Sequence, residues 1–208
     1  MKIVENKNRI RESASKLILQ YGIISVSMDD IARLLGMSKK TLYTFYKSKD
    51  ELVLDVLENL IDRNQEYCTL ASISSKNAVE ELFQSLEIHD RIFQPLHPSL
   101  IFDLKKHHQN AYGCVECFKN EFLIEKIEAN ILRGIEEGLY RPEINVDITA
   151  RLRLESIFLP FSNEYFLRKY TIREVQKEIM VHFLYGLATD KGHKLINKYL
   201  KKDKEIKK

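Results

Sequence analysis

Apolar residues recur along this chain at intervals of three and four, the spacing of one face of an α-helix, rather than in the alternation of a half-buried strand. Ile10, Ala14, Leu17, Ile18 and Tyr21 form one stripe and predict a helix over about 6–21. Met28, Ile31, Ala32 and Leu35, then Leu42, Phe45 and Tyr46, predict two short helices within residues 25–50. Leu52, Val56, Leu60 and Ile61, with Leu54 and Leu57 beside them, predict a long helix reaching about Cys68. The Ser-rich stretch 70–76, LASISSK, then reads as a boundary.

Five further segments carry the same period. Val79, Leu82, Phe83, Leu86, Ile88, Ile92, Phe93 and Leu96 lie on one helix, with Pro95 and Pro98 bracketing its end. Leu100, Ile101, Phe102 and Leu104 mark a short helix in 99–110. Gly113 opens a long helix with Phe118, Phe122, Ile127, Ile131, Ile135 and Leu139 on one side, and a connection at 140–145 follows. Residues 147–165 and 171–189 are the last large helices expected. The pattern predicts an all-α fold.

Turn chemistry sharpens the first fifty residues. Ser27 with Asp30, Ser38 with Thr41 and Ser48 with Glu51 each put a hydroxyl three positions before a polar or acidic side chain, the arrangement that caps a helix start. Thr171 with Glu174 repeats it. Gly22 and Gly36 stand where left-handed backbone stops a helix without a Cβ penalty. A sharp turn through Gly36, Met37 and Ser38 gives helix-turn-helix spacing.

If Leu42 and Tyr46 point inward, helical geometry turns Ser38, Lys39, Thr41, Tyr43 and Thr44 outward, with Lys40 at the margin. Hydroxyls, ammonium groups and a phenol suit a groove lined by phosphates and base edges. Charge distribution supports this. The overall excess of +3 conceals basic ends: residues 1–50 hold ten Lys and Arg against five Asp and Glu, and 190–208 hold eight against three. Cations clustered at one end are the footprint of a nucleic-acid binder, whereas a Lys-rich terminal stretch such as 190–208 reads as solvated.

The head also resembles the tetracycline-repressor (TetR) family of bacterial transcriptional regulators. The resemblance covers about residues 6–60 and rests on Tyr21-Gly22, Ser27-Met28-Asp29-Asp30-Ile31-Ala32, Gly36-Met37-Ser38-Lys39, Thr41-Leu42-Tyr43 and Tyr46-Lys47-Ser48-Lys49-Asp50-Glu51-Leu52, with a weaker echo over 134–142. It implies an N-terminal three-helix head over 1–50, a joining helix over 49–68, and a larger helical effector-binding and dimerisation domain over 69–208. It further implies a homodimer on a double-stranded DNA operator, released by a small-molecule effector not yet named. By position, Ser27, Ser38, Lys39, Lys40, Thr41, Tyr43, Thr44 and Lys49 become expected DNA contacts. Lys40 departs from the small residue common there, and Phe45 from a polar ring, so base preference does not carry over; Phe45 touches a thymine methyl or packs.

In the body, the helices at 147–165 and 171–189 are apolar over more than one side, which requires two covers. With the resemblance, Ile157, Phe161, Val175, Ile179, Phe183 and Leu187 are expected at a dimer interface. Phe83, Phe93, Phe102, Tyr112, Phe118, Phe122 and Phe158 supply aromatic surface for an effector pocket.

Other chemistry finds less support. His107-His108 before Cys114 and Cys117 invites a metal reading, but the spacing is poor for zinc. The alternative function is a helical sensor switched by oxidation or metal at Cys114 and Cys117, since a CxxC at a helix start lowers a thiol pKa. A helical binding module that no longer needs DNA is another. Glycine-rich phosphate loops, nucleophile elbows and HExxH are missing, so no enzyme, cofactor or resident metal is expected. No run of eighteen apolar residues occurs and the start is charged, so a cytoplasmic protein away from membranes is expected.

Overall fold

Helix follows helix in the computed structural model, which describes residues 2–93, 97, 99–162 and 164–206. The side chains of 2–3, 89–93, 162, 164, 167 and 203–206 lie outside that description. No strand occurs among the described residues, and the fold class is all-α as the periodicity predicts. The chain divides into two compact units: residues 1–63 with 95–118, and residues 64–94 with 119–208.

The first unit opens with α1 (Lys2–Tyr21), which packs on α2 (Met28–Leu35); α3 (Lys39–Phe45) packs on α2 in turn. The first stripe is rotated slightly from the sequence expectation. Ile10, Ala14 and Ile18 are fully enclosed, but Leu19 is buried in place of Tyr21, which is half exposed. Leu52, Val53, Val56 and Leu57 at the start of α4 (Lys49–Ser74) complete this core. Two short helices, α6 (Leu100–His107) and α7 (Gln109–Cys117), pack together in the same unit.

The expected boundary at 70–76 is instead mostly helix, because α4 continues to Ser74. The cause lies far along the chain. Arg133 donates from Nη1 to the Ser72 carbonyl at 3.2 Å and from Nη2 to the Ser75 carbonyl at 2.9 Å, satisfying acceptors that a helix C-terminus leaves open. Its guanidinium also pairs with Glu81 at 3.2 Å and Glu137 at 2.8 Å.

After α5 (Ala78–Phe93), the expected helix start at Gly113 is corrected too. The helix already begins at Gln109, and Gly113 sits in its interior. It runs through a π-helical turn, Phe118–Leu123, into α8 (Ile124–Glu136). The apolar series steps by five from Phe122 to Ile127, the slip that one π turn absorbs.

The second unit is built from α5, α8, α9 (Val146–Ser162), α11 (Ile172–Leu187) and α12 (Asp190–Ile206), with short α10 (Glu164–Lys169) between α9 and α11. Thr171 forms the expected capping box with Glu174. At the end of α8 the chain folds back. Gly138 takes φ 65°, and the Leu139 and Tyr140 amides both donate to the Gly134 carbonyl, at 2.8 and 2.9 Å. The Tyr140 ring, 1% exposed, lies on the bare face of Gly134.

The stretch 190–206, expected as a solvated tail, is a helix with a buried side. Thr189 accepts from the Gly192 amide at 3.2 Å, Ile196 is fully enclosed, and Tyr199 stacks on Phe83 with centroids 5.3 Å apart. The stripe Leu195, Ile196, Tyr199 and Leu200 carries that signal, masked by its lysines.

Candidate nucleic-acid interface

The turn between α2 and α3 is fixed at both ends by local hydrogen bonds. The Ser27 hydroxyl accepts from the Asp30 amide at 3.2 Å while the Asp30 carboxylate accepts from the Ser27 amide at 3.0 Å, a complete capping box. The Ser27 hydroxyl also donates to Asp30 Oδ2 at 2.5 Å, and that bond, then the Ser27 amide's, holds the Asp30 carboxyl below its usual range. Gly36, at φ 65°, ends α2, and the Met37 amide returns to the Ala32 carbonyl at 3.0 Å. Ser38 then caps α3, accepting from the Thr41 amide at 3.0 Å. At the third site Ser48 accepts from the Glu51 amide at 3.2 Å, and Glu51 reaches back to the Lys47 amide at 2.7 Å, one residue short of a capping box.

Because Leu42 and Tyr46 are both fully buried, α3 has one sealed face and one open face. Ser38, Lys39, Lys40, Thr41, Tyr43 and Thr44 are exposed, and Phe45 is half-buried. The hydroxyls are locally engaged: Ser38 with Thr41 at 2.7 Å, and Thr44 donating to the Thr41 carbonyl at 2.6 Å. Lys39 Nζ lies 2.8 Å from Asp29 Oδ1, and the hydrogen bond to Asp29 raises its pKa. A pair this exposed is screened by water and contributes little, so a phosphate can compete for the ammonium. Lys40 forms no ion pair and Tyr43 no hydrogen bond among the described residues.

Lys49 is placed differently from Lys39 and Lys40. Half-buried, it donates from Nζ to the Ile23 carbonyl at 2.5 Å, and desolvation lowers its pKa. Its ammonium braces the head from inside.

Sequence reasoning also missed the network behind α3. The Tyr46 hydroxyl donates to Asp55 Oδ2 at 2.5 Å, and Arg11 Nη1 donates to Asp55 Oδ1 at 3.4 Å. Burial, then the bond to Asp55, pushes the phenol above its ordinary range. Arg9 donates to the Leu35 carbonyl at 3.3 Å. Since a hydrogen bond to a charged group contributes about 1.5–3 kcal/mol, Tyr46→Phe is expected to destabilise the head by about 2 kcal/mol. Urea unfolding checks this; an unchanged midpoint would show that the bond contributes nothing.

The residues expected in the body are less uniform. Ile157, Val175 and Leu187 are buried within their own chain, so they cannot form a free interface, whereas Phe161, Ile179 and Phe183 are half-buried. Ile148, Leu152 and Leu159 on α9 are 64%, 68% and 40% exposed, an apolar stripe that the expected interface omitted. The expected pocket aromatics fall in both units. Phe102, Tyr112 and Phe118 belong to the first; Phe102 is 62% exposed under Lys106, Tyr112 is half-buried and Phe118 is buried. Phe83, Phe122 and Phe158 belong to the second, where Lys126 lies 5.4 Å over Phe122 and Lys119 lies 5.3 Å over Phe158. The Phe93 side chain is outside the described residues.

Cys114 and Cys117 are free thiols near the end of α7, not at a helix start. Burial, then Glu58, raises the Cys114 pKa, opposite to an activated thiol. His108 Nδ1 lies 2.7 Å from Asp50 Oδ1, and no group of three metal-ligating side chains forms among the described residues.

Comparison with known proteins agrees with this geometry. A family profile described as bacterial regulatory proteins, tetR family, matches residues 10–56. The HTH-type transcriptional regulator YvaF of Bacillus subtilis (strain 168) is 31% identical over 185 residues, covering 88% of this chain and 95% of the relative. The HTH-type regulator YhgD of the same organism is 26% identical over 175 residues, covering 74% and 84%. A TetR-family regulator from Agrobacterium tumefaciens has the same fold, with TM-score 0.75 over 90% of this chain and all of that one at 15% identity. Capped helices around a sharp turn, a polar face on the second of them, and a relative matching along nearly the whole chain lead to one conclusion: the protein belongs to the TetR family of bacterial transcriptional regulators.

Proposed function

We propose that the protein is a homodimeric repressor that holds a pseudo-palindromic operator with two copies of α3 and releases it when a small molecule binds the helical body. The observation carrying this reading is the split of α3 into a sealed face, Leu42 and Tyr46, and an open face bearing Lys39, Lys40 and Tyr43. Ser27, Ser38, Thr41 and Thr44 add hydroxyls around that face, and Lys49 supports it from within. Residues 1–50 serve as the DNA-binding part and 69–208 as the effector-binding and dimerisation part, joined by α4. The exposed apolar stripe Ile148, Leu152 and Leu159, with half-buried Ile179 and Phe183, favours a second copy of this chain as its cover. Such a dimer sets its two α3 helices about 34–36 Å apart, one DNA turn. Effector binding changes that separation, so both heads can no longer seat together. A regulator of this kind works in the cytoplasm, where its operator lies.

Selection of genomic fragments by the purified protein, with sedimentation of the free protein, tests this. The expected result is a dimer mass and a shared inverted repeat with half-sites about one turn apart. A monomer, or fragments without a common motif, would overturn it.

A further inference from the structure

The interior of the second unit holds a cation with almost nothing to pair with. Arg153, on α9, is 4% exposed. Its Nη1 donates to Ser156 Oγ at 3.4 Å, and its guanidinium lies 5.5 Å over the Phe183 ring of α11. No carboxylate pairs with it among the described residues. Arg133 in the same unit is the contrast, held by Glu81, Glu137 and two backbone carbonyls. Burial draws the Arg153 pKa down to about 10, so the group stays cationic at neutral pH.

The same α9–α11 seam carries an unpaired acceptor. Gln176, 2% exposed, donates from Nε2 to the Ile157 carbonyl, while its Oε1 has no hydrogen-bond partner. On the same two helices Ala150, Leu154, Ile157, Met180 and Leu184 are also buried. A charge removed from water without an opposite partner is a stability cost, which a ligand completing it would offset. A carboxylate from a second subunit cannot do so, because Arg153 is enclosed within its own chain.

We propose that Arg153 is the anion-recognising residue of an effector site between α9 and α11, and that the effector is a small carboxylate on an apolar body. The carboxylate takes the planar guanidinium fork through two parallel N–H···O bonds. The body of the molecule lies among the aliphatic side chains, and Gln176 Oε1 accepts from any donor it carries. This assignment rests on the proposed role of the body as an effector-binding domain and names the chemical class it takes.

Isothermal calorimetry of the full chain, without DNA, tests the assignment with benzoate, phenylacetate, hexanoate and octanoate, each beside its primary amide. At least one carboxylate is expected to bind, with its amide at least tenfold weaker. Arg153→Met should abolish that binding, and the unliganded variant should melt about 2–4 °C higher, because an unpaired buried charge has been removed. Arg153→Lys keeps the charge without the fork and should bind at least fivefold more weakly than the wild type. Failure of all four carboxylates, equal binding of acids and amides, wild-type binding by Arg153→Met, or a variant melting several degrees below the wild type would each overturn the assignment. Operator recognition that survives such a failure leaves the regulatory reading standing. Carboxylate binding by a protein that retains no DNA leaves this site standing and removes that reading.

Discussion

Alanine at both Lys39 and Tyr43 is expected to lower affinity for the genomic operator by about a hundredfold or more, with helix content and dimer mass unchanged. Each lost phosphate or base-edge contact costs about 1–3 kcal/mol, and in the proposed complex each is lost from both heads. The fold should tolerate the change. Among the described residues Lys39 pairs only with the exposed Asp29, and Tyr43 is 40% exposed. Electrophoretic mobility shift and circular dichroism on the same preparation separate the two effects. Binding at the wild-type level would show that α3 is not the reading helix.

Gly134→Ala is expected to destabilise the second unit by about 2–4 kcal/mol, although alanine is the better helix former by about 1 kcal/mol. A Cβ at position 134 would stand 2.0 Å from Cδ2 of the Tyr140 ring, 2.2 Å from Cε2 and 2.6 Å from Cγ. The ring cannot slide away, because the Tyr140 amide is bonded to the Gly134 carbonyl at 2.9 Å and the hydroxyl donates to Asn130 at 3.3 Å. Relief requires expelling an enclosed aromatic side chain, a loss of about 3–5 kcal/mol. The double variant discriminates: with Tyr140→Ala in place, adding Gly134→Ala should cost nothing or stabilise slightly. If Gly134→Ala alone stabilises the protein, the proposed packing is wrong.

These two sites also mark how far the sequence could be read. The head was legible because each of its signals is local: a hydroxyl three residues before its amide, a glycine at the stop, and an apolar pair one turn apart at Leu42 and Tyr46. Features set by distant residues were not. The extension of α4 to Ser74 depends on Arg133, some sixty positions on, and the inward turn of Lys49 depends on the Ile23 carbonyl. Composition misled at 190–206, where lysines hid the stripe around Ile196. Apolar breadth suggested that α9 and α11 need two covers, but periodicity does not say which residues the chain keeps for itself. Ile157, Val175 and Leu187 went inward, and Ile148 and Leu152 stayed out. A charged side chain among apolar neighbours, as at Arg153, reads in sequence like any solvated arginine.

Photo-cross-linking from position 43 tests the central claim most directly. With Tyr43 replaced by a benzophenone-bearing phenylalanine analogue, irradiation of the protein on its operator should join position 43 to DNA bases within a half-site, at equivalent places in both halves of the repeat. Cross-links only to protein, from a variant that still binds the operator, would contradict the claim that the open face of α3 lies against the duplex.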